Sequence, residues 1–269
     1  MEIMPKELSL PTPISKVALV AIAHADDLLL FCGATVLRLV ASGWDVHVVR
    51  VTDDRWDSWG IDVKETIYRN QNEFSEAMSF IGVKSVLDLG YPTDVLGDNS
   101  EVSLREQFID LIRNIKPYLV MTFDPDSFLN EDNEDHKLVA RSMAEASWTA
   151  GFDKHPGARG KVDSPHLPIE KWYFGRSVAE VTHYQNIEPF IDQLITAIAI
   201  HKTMLHNMVS QLRLQANFLG YSLDRLIILV EESPKEFAKM IIGDRNREEL
   251  RIVDSGKLFR VIEKFGVTL

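Results

Sequence analysis

Apolar positions change their period repeatedly along this chain, and the changes predict an alternation of strands and helices. Val17 to Ala23 is an unbroken apolar run that stops at polar residues, the pattern of a strand buried on both faces of a parallel sheet. Leu28 to Ser42 then carries Leu29, Cys32, Val36, Leu39 and Val40 at helical spacing and ends at Gly43, which suits a left-handed C-terminal cap. Asp45 to Thr52 follows as a second strand whose imperfect alternation predicts less burial than the first. Strand, helix and strand in succession make a βαβ unit, which is right-handed almost without exception.

The alternation persists through a helix over Val63 to Ile81 closed by Gly82, a strand over Ser85 to Leu89, a helix over Val102 to Ile115 and a strand over Tyr118 to Phe123. A helix over Lys137 to Trp148 comes next. Ala150 to Pro168, with its Gly, Pro and His residues, reads as a long irregular segment that serves as a rim or lid. Lys171 to Ser177 reads as a strand, Pro189 to about Phe218 as one long helix, Glu236 to Ile242 as a helix and Leu258 to Ile262 as a final strand. These elements predict an α/β fold, a Rossmann-like three-layer sandwich with a mostly parallel sheet. One domain over residues 1–269 is expected, about 14–180 forming the alternating part and about 181–269 a helical part packed on it.

Composition narrows the chemistry. With 269 residues, 45% of them hydrophobic, the chain can bury a large core. A formal net charge of -11 argues against nucleic acid or an anionic membrane surface as partner and favours a small neutral or cationic substrate. Cys32 is the single cysteine, so a transition metal would be held by His, Asp and Glu. No run approaches the roughly 20 apolar residues of a membrane span, and the first residues lack a signal-peptide core. A cytoplasmic protein is expected.

Three ligand-type side chains, His24, Asp26 and Asp27, stand where the first strand stops, and ligands collect at such carboxyl ends in open α/β sheets. The Asp26-Asp27 pair also suits a helix N-cap with an acid in the first turn. Asp53 marks the end of the second strand and is a further site candidate. Beyond it, Trp56 and Trp59 suit either stacking on a sugar face or anchoring the loop. Asp124 to His136 is dense in carboxylates, which by itself describes a solvated loop. His136, however, follows another buried strand and precedes a helix, and with His24 and Asp27 it would complete the three protein ligands common at catalytic zinc.

His24-Ala25-Asp26-Asp27, the strand before it, Gly33 after it, and Asp135-His136 after a later strand resemble the PIG-L/LmbE-like family of zinc-dependent N-deacetylases. That family reads Ala-His-Pro-Asp-Asp in its first motif, has a helix with Arg three residues before Glu, and reads His-Pro-Asp-His in its third. Here Ala25 replaces Pro, Asn70 stands three residues before Glu73 with Arg69 one place off, and the third motif is Asn133-Glu134-Asp135-His136. The resemblance implies that His24, Asp27 and His136 hold zinc or another divalent metal and that Asp26 is the general base. It gives position 133 the task of protonating the leaving amine or stabilising the tetrahedral intermediate, with Asp135 tuning it, and adds Arg69, Asn70 and His201 to Asp53 as substrate-binding candidates. The implied reaction is removal of an acyl group, most simply acetyl, from a small-molecule amino sugar or its conjugate. An amide at Asn133 cannot transfer a proton, so reduced activity is expected, with Asp26, His201 or His155 as substitute acid. A weak or inactive relative that binds a sugar or acts in an assembly, including a homo-oligomer, is the alternative. A nucleotide-binding protein is disfavoured because no Gly-x-Gly-x-x-Gly loop follows any strand.

Overall fold

A computed structural model describes residues 4–127, 131–160, 164–254, 261–262 and 264–266. Its strands are β1 (Lys6–Glu7), β2 (Val17–Ile22), β3 (Asp45–Thr52), β4 (Ser85–Tyr91), β5 (Leu119–Phe123), β6 (Glu170–Phe174), β7 (His183–Asn186) and β8 (Arg247–Asp254). Its helices are α1 (Asp27–Phe31), α2 (Gly33–Ala41), α3 (Val63–Ile81), α4 (Glu101–Ile115), α5 (Glu134–Thr149), α6 (Ile191–Ile198), α7 (Lys202–Phe218), α8 (Asp224–Glu232) and α9 (Pro234–Ile242). The strands form one sheet in the order β1-β7-β8-β6-β5-β2-β3-β4. All neighbours are parallel except the pairs made by β8, which runs antiparallel to both β6 and β7. This is a mostly parallel α/β sheet flanked by helices. Among the described residues no helix is long and apolar enough to cross a membrane.

The chain order explains where a site must form. From β2 the chain winds outward to β3 and β4, then returns past β2 to place β5 on its other side. Right-handed crossovers therefore put α2 and α3 on one face and α4 and α5 on the other. The carboxyl ends of β2 and β5 lie side by side at this reversal, leaving a crevice between the loops that follow them. Both strands are buried along nearly their whole length, which accounts for their unbroken apolar runs.

Several expectations change on the structure. The helix expected over Leu28 to Ser42 is two helices, broken at Cys32 (φ -143°). The break is held from far away: Glu248 of β8 accepts from the Ala34 and Thr35 amides (2.8 Å each) and from Thr35 Oγ1 (2.7 Å). A carboxylate at a helix N-terminus is favoured by both the free amides and the dipole. The helix expected over Pro189 to Phe218 breaks likewise between α6 and α7, where Glu73 of α3 accepts from Thr203 N and Oγ1 (2.9 Å each). β3 is slightly less buried than β2, as its pattern suggested, with Asp45 exposed and His47 half-buried; Arg50, its most discordant residue, is nevertheless buried because Asp54 (2.6 Å) and Asp88 (2.7 Å) pair with it.

α5 begins at Glu134 rather than Lys137, because Asn133 caps it through its side-chain oxygen. The part after about residue 180, expected to be helical, supplies β7 and β8 as well as α6 to α9. The expected final strand, Leu258 to Ile262, lies mostly outside the described residues. The Ala150 to Pro168 segment, in its described residues 150–160 and 164–168, forms no lid over the strand carboxyl ends. It follows α5 and precedes β6, so it sits at the opposite, amino-terminal edge. Its His166 Nε2 binds the Pro117 carbonyl just before β5 (2.7 Å), and Arg113 of α4 donates to the Ala150, Phe152 and His155 carbonyls (3.0, 2.7 and 2.7 Å).

Candidate metal centre

The turn after β2 is closed by one side chain. Asp27 Oδ2 accepts from the backbone amides of Ala23 (3.1 Å) and His24 (2.6 Å), which folds the chain so that His24 and Asp27 face the same point. Asp26 occupies the N-cap position of α1, yet its carboxylate makes no capping hydrogen bond. It remains free to face a cavity of about 340 Å³ that His24, Asp27, Asn133 and His136 also line. Burial, with the charge of Asp27 beside it, pushes the Asp26 carboxyl up to about 7.

His136 enters from across the crevice, in the first turn of α5. Phe123, the last residue of β5, stacks on its ring (centroids 4.1 Å apart, planes 12°). His136 Nε2 stands 3.1 Å from Asp27 Oδ1 and 3.2 Å from His24 Nδ1, and His24 Nδ1 is 3.4 Å from Asp27 Oδ2. All three residues are buried. Burial opposes a charge on either imidazole, but the Asp27 carboxylate outweighs it, so His136 is raised to about 9 and His24 well above its usual value. Burial likewise works to raise Asp27, and the charges of His136 and His24 overcome it and hold the carboxyl well below the usual range.

This donor set fits a divalent transition metal. One ligand atom from each residue can be chosen so that all three lie within 4.8 Å of one another, and a tetrahedral ion with bonds of about 2.0–2.1 Å would draw them to about 3.3–3.4 Å. Two imidazoles at 3.2 Å cannot both donate protons to one another. A cation among them and the carboxylate satisfies all three groups at once.

The floor of the crevice is built from buried polar residues. Arg50 holds Asp54 Oδ2, and Asp54 Oδ1 accepts from the Ala25 amide (3.3 Å) between His24 and Asp26. Burial, offset by Arg50, brings the Asp54 carboxyl up to about 6. Asn70 donates through Nδ2 to the Asp54 and Asp57 carbonyls (3.1 Å each) and so shapes the loop that carries Asp57 into the cavity. Burial raises the Asp57 carboxyl to about 7.

Of the expected site residues, the structure brings His24, Asp26, Asp27, Asn133 and His136 to one cavity. Asp135 lies directly behind, with Oδ2 3.4 Å from His24 Nε2. Asp53 is not in the cavity: its carboxylate is taken up by Arg55 (3.0 and 2.5 Å). Arg69 is exposed and paired with Glu65 (2.6 Å), and Asn70 supports the loop instead of contacting the cavity. Neither tryptophan lines the cavity, and Trp56 Nε1 anchors its loop to the Thr93 carbonyl (3.1 Å). His155 pairs with Glu106 (3.4 Å) at the amino-terminal edge. Sequence reasoning missed Asp57, Asp94 and Arg176, and also the wall formed by Met204, Asn207, Met208 and Gln211. The last four share one helical face by their spacing, a signal that could have marked α7 as a cavity wall.

His201 is fully enclosed outside the cavity, and neither ring nitrogen has a hydrogen-bond partner among the described residues. Burial, reinforced by Arg50, pushes it down from 6.5 to about 4. The unfolded chain therefore takes up this proton first as the pH falls. The stability gained by keeping the ring neutral is complete above about 6.5 and is lost toward pH 4, at up to about 1.4 kcal/mol per pH unit. Denaturant unfolding at pH 7 and pH 5 is expected to show a clearly smaller loss for His201→Phe than for wild type; equal losses would refute this.

An α/β protein with a buried two-histidine, one-carboxylate cluster at the reversal of its sheet is thus defined by fold and geometry. Residues 19–147 match the family model described as PIG-L, GlcNAc-PI de-N-acetylase. The chain is 29% identical to the 1D-myo-inositol 2-acetamido-2-deoxy-alpha-D-glucopyranoside deacetylase of Mycobacterium leprae, over 52% of this chain and 55% of that one. It therefore spans about half the length of the curated relatives it matches. In fold it is similar to the N,N'-diacetylchitobiose deacetylase of Pyrococcus horikoshii (TM-score 0.68, 19% identity, 91% of this chain and 86% of that one). It is similar too to the 4-carboxy-2-hydroxymuconate hydratase of Pseudomonas putida (TM-score 0.59, 18% identity, 88% and 96%).

Proposed function

We propose that this protein is a zinc-dependent hydrolase that removes an N-acyl group, most simply acetyl, from an amino sugar or its conjugate. One observation carries the reading: His24, Asp27 and His136 converge at 3.1–3.4 Å while the neighbouring Asp26 carboxylate is left free in the same cavity. The PIG-L match and the acetamido-sugar deacetylases among the relatives support the substrate class. The fold alone does not, since a hydratase shares it.

Zinc held by the three residues would supply a Lewis acid that acidifies water and polarises an amide carbonyl. Asp26 takes the proton from the attacking water as the carbon–oxygen bond forms. It returns that proton to the nitrogen as the carbon–nitrogen bond breaks, so acetate and a free amine result. A carboxylate beside the cluster but outside its ligand set can hold the proton in transit between water and nitrogen. Asn133 can donate a hydrogen bond as a histidine would but cannot transfer a proton. Its Oδ1 is committed to the amides of Asp135 (2.9 Å) and His136 (3.4 Å), so the NH₂ group is the part of its amide available to a ligand in the cavity that Asn133 lines. There it can donate to the developing oxyanion. The test is acetate release from a panel of N-acetylated amino sugars and their glycosides by zinc-loaded protein; no release from any member would refute the proposal.

The same commitment of Asn133 favours a second reading, a relative whose catalysis has decayed while its sugar site persists. Asn133→His separates the two. For a working enzyme the wild type turns over and the variant is faster by at most about 10²- to 10⁴-fold. Turnover found in the variant alone would establish the decayed reading. The lost cap is expected to lower stability by about 1 kcal/mol.

A further inference from the structure

The two imidazoles of the cluster turn different nitrogens toward Asp27, Nδ1 from His24 and Nε2 from His136. The nitrogens left over each meet a separate carboxylate. His136 Nδ1 is 3.0 Å from Glu131 Oε2, and His24 Nε2 is 3.4 Å from Asp135 Oδ2. Both carboxylates are themselves held: Glu131 Oε1 accepts from the Asn133 amide (3.0 Å) and Asp135 Oδ2 from the Asp94 amide (2.8 Å).

We propose that Glu131 and Asp135 are positioning residues that fix the tautomer and orientation of the two metal-binding imidazoles, with Asp135 acting through His24 and not through position 133. A neutral imidazole that donates from one nitrogen must present a lone pair at the other. Glu131 therefore selects the His136 ring with its hydrogen on Nδ1, and Asp135 selects the His24 ring with its hydrogen on Nε2. Carboxylates in this place also make the ligating nitrogen more basic. The local chain makes the arrangement: adjacent residues of a helix point about 100° apart, so the first turn of α5 can send His136 into the cluster and Asp135 behind His24. Asp135 is thereby detached from the role that the resemblance implied for it.

The inference rests on the metal reading above, and the experiment separates the two. Long-range ¹H–¹⁵N correlation spectra of the zinc-loaded chain read the tautomers directly. The expected result is His136 protonated at Nδ1 and His24 at Nε2, and the opposite tautomer at either ring would overturn the proposal. Competition against a chromophoric chelator supplies the second readout. Glu131→Ala and Asp135→Ala are expected to weaken zinc binding by about 10- to 100-fold. Glu131→Gln, whose amide oxygen still accepts from Nδ1, is expected to recover most of the loss. Unchanged affinity in both alanine variants, with native circular dichroism, would overturn the positioning role while leaving the metal site intact. Wild-type protein that binds no zinc would instead refute the metal reading.

Discussion

Asp26→Asn is expected to lower amide hydrolysis by roughly 10²- to 10⁴-fold while zinc binding survives. Asparagine keeps the size of the side chain and its place at the start of α1, where the carboxylate makes no capping bond to lose. It removes a carboxylate that faces the cavity directly beside the cluster without being one of its ligands. The metal site keeps His24, Asp27 and His136, so the two effects part company. Kinetics and zinc content measured on the same preparation check this. Retained turnover would move the base elsewhere, with Asp57, also raised to about 7 by burial and also facing the cavity, as the next carboxylate to test.

Asp27→Asn should fail in the opposite way, losing the metal first and activity with it. Asp27 has three tasks: it closes the turn through the Ala23 and His24 amides, provides the anionic ligand, and supplies the charge that lets two imidazoles stand 3.2 Å apart. An amide keeps a hydrogen-bond acceptor for the turn and loses the charge. The expected weakening of zinc binding therefore exceeds the roughly 10- to 100-fold typical of disturbing a ligand's outer partner. Chelator competition measures it, and an affinity within a few-fold of wild type would show that Asp27 is not a ligand.

The part of this architecture that local pattern encodes was legible in the sequence. β2, β3 and α3 begin and end within a residue of the expected positions, because apolar runs and terminal glycines such as Gly82 (φ 82°) act locally. That His24, Asp27 and His136 lie close together was legible too, from their places after buried strands and from the family resemblance, whereas the adjacency of β2 and β5 that brings them together was not. What escaped depends on partners remote in sequence. Neither helix break carries a proline, and each is capped by a carboxylate, Glu248 or Glu73, more than a hundred residues away. Arg50 reads as an exposed position until Asp54 and Asp88 are seen to neutralise it. Asp53 and Asp54 are indistinguishable in sequence. The structure ties the first to Arg55 and sets the second, at φ 53°, beneath the Ala25 amide.

The most direct test of the account is acetate release from N-acetylated amino sugars, followed as zinc is titrated into chelator-stripped protein. Activity is expected to be absent at the start and to rise to a plateau at one zinc per chain. Undiminished activity in the stripped protein, or a natively folded chain that neither binds zinc nor releases acetate at any zinc concentration, would contradict it.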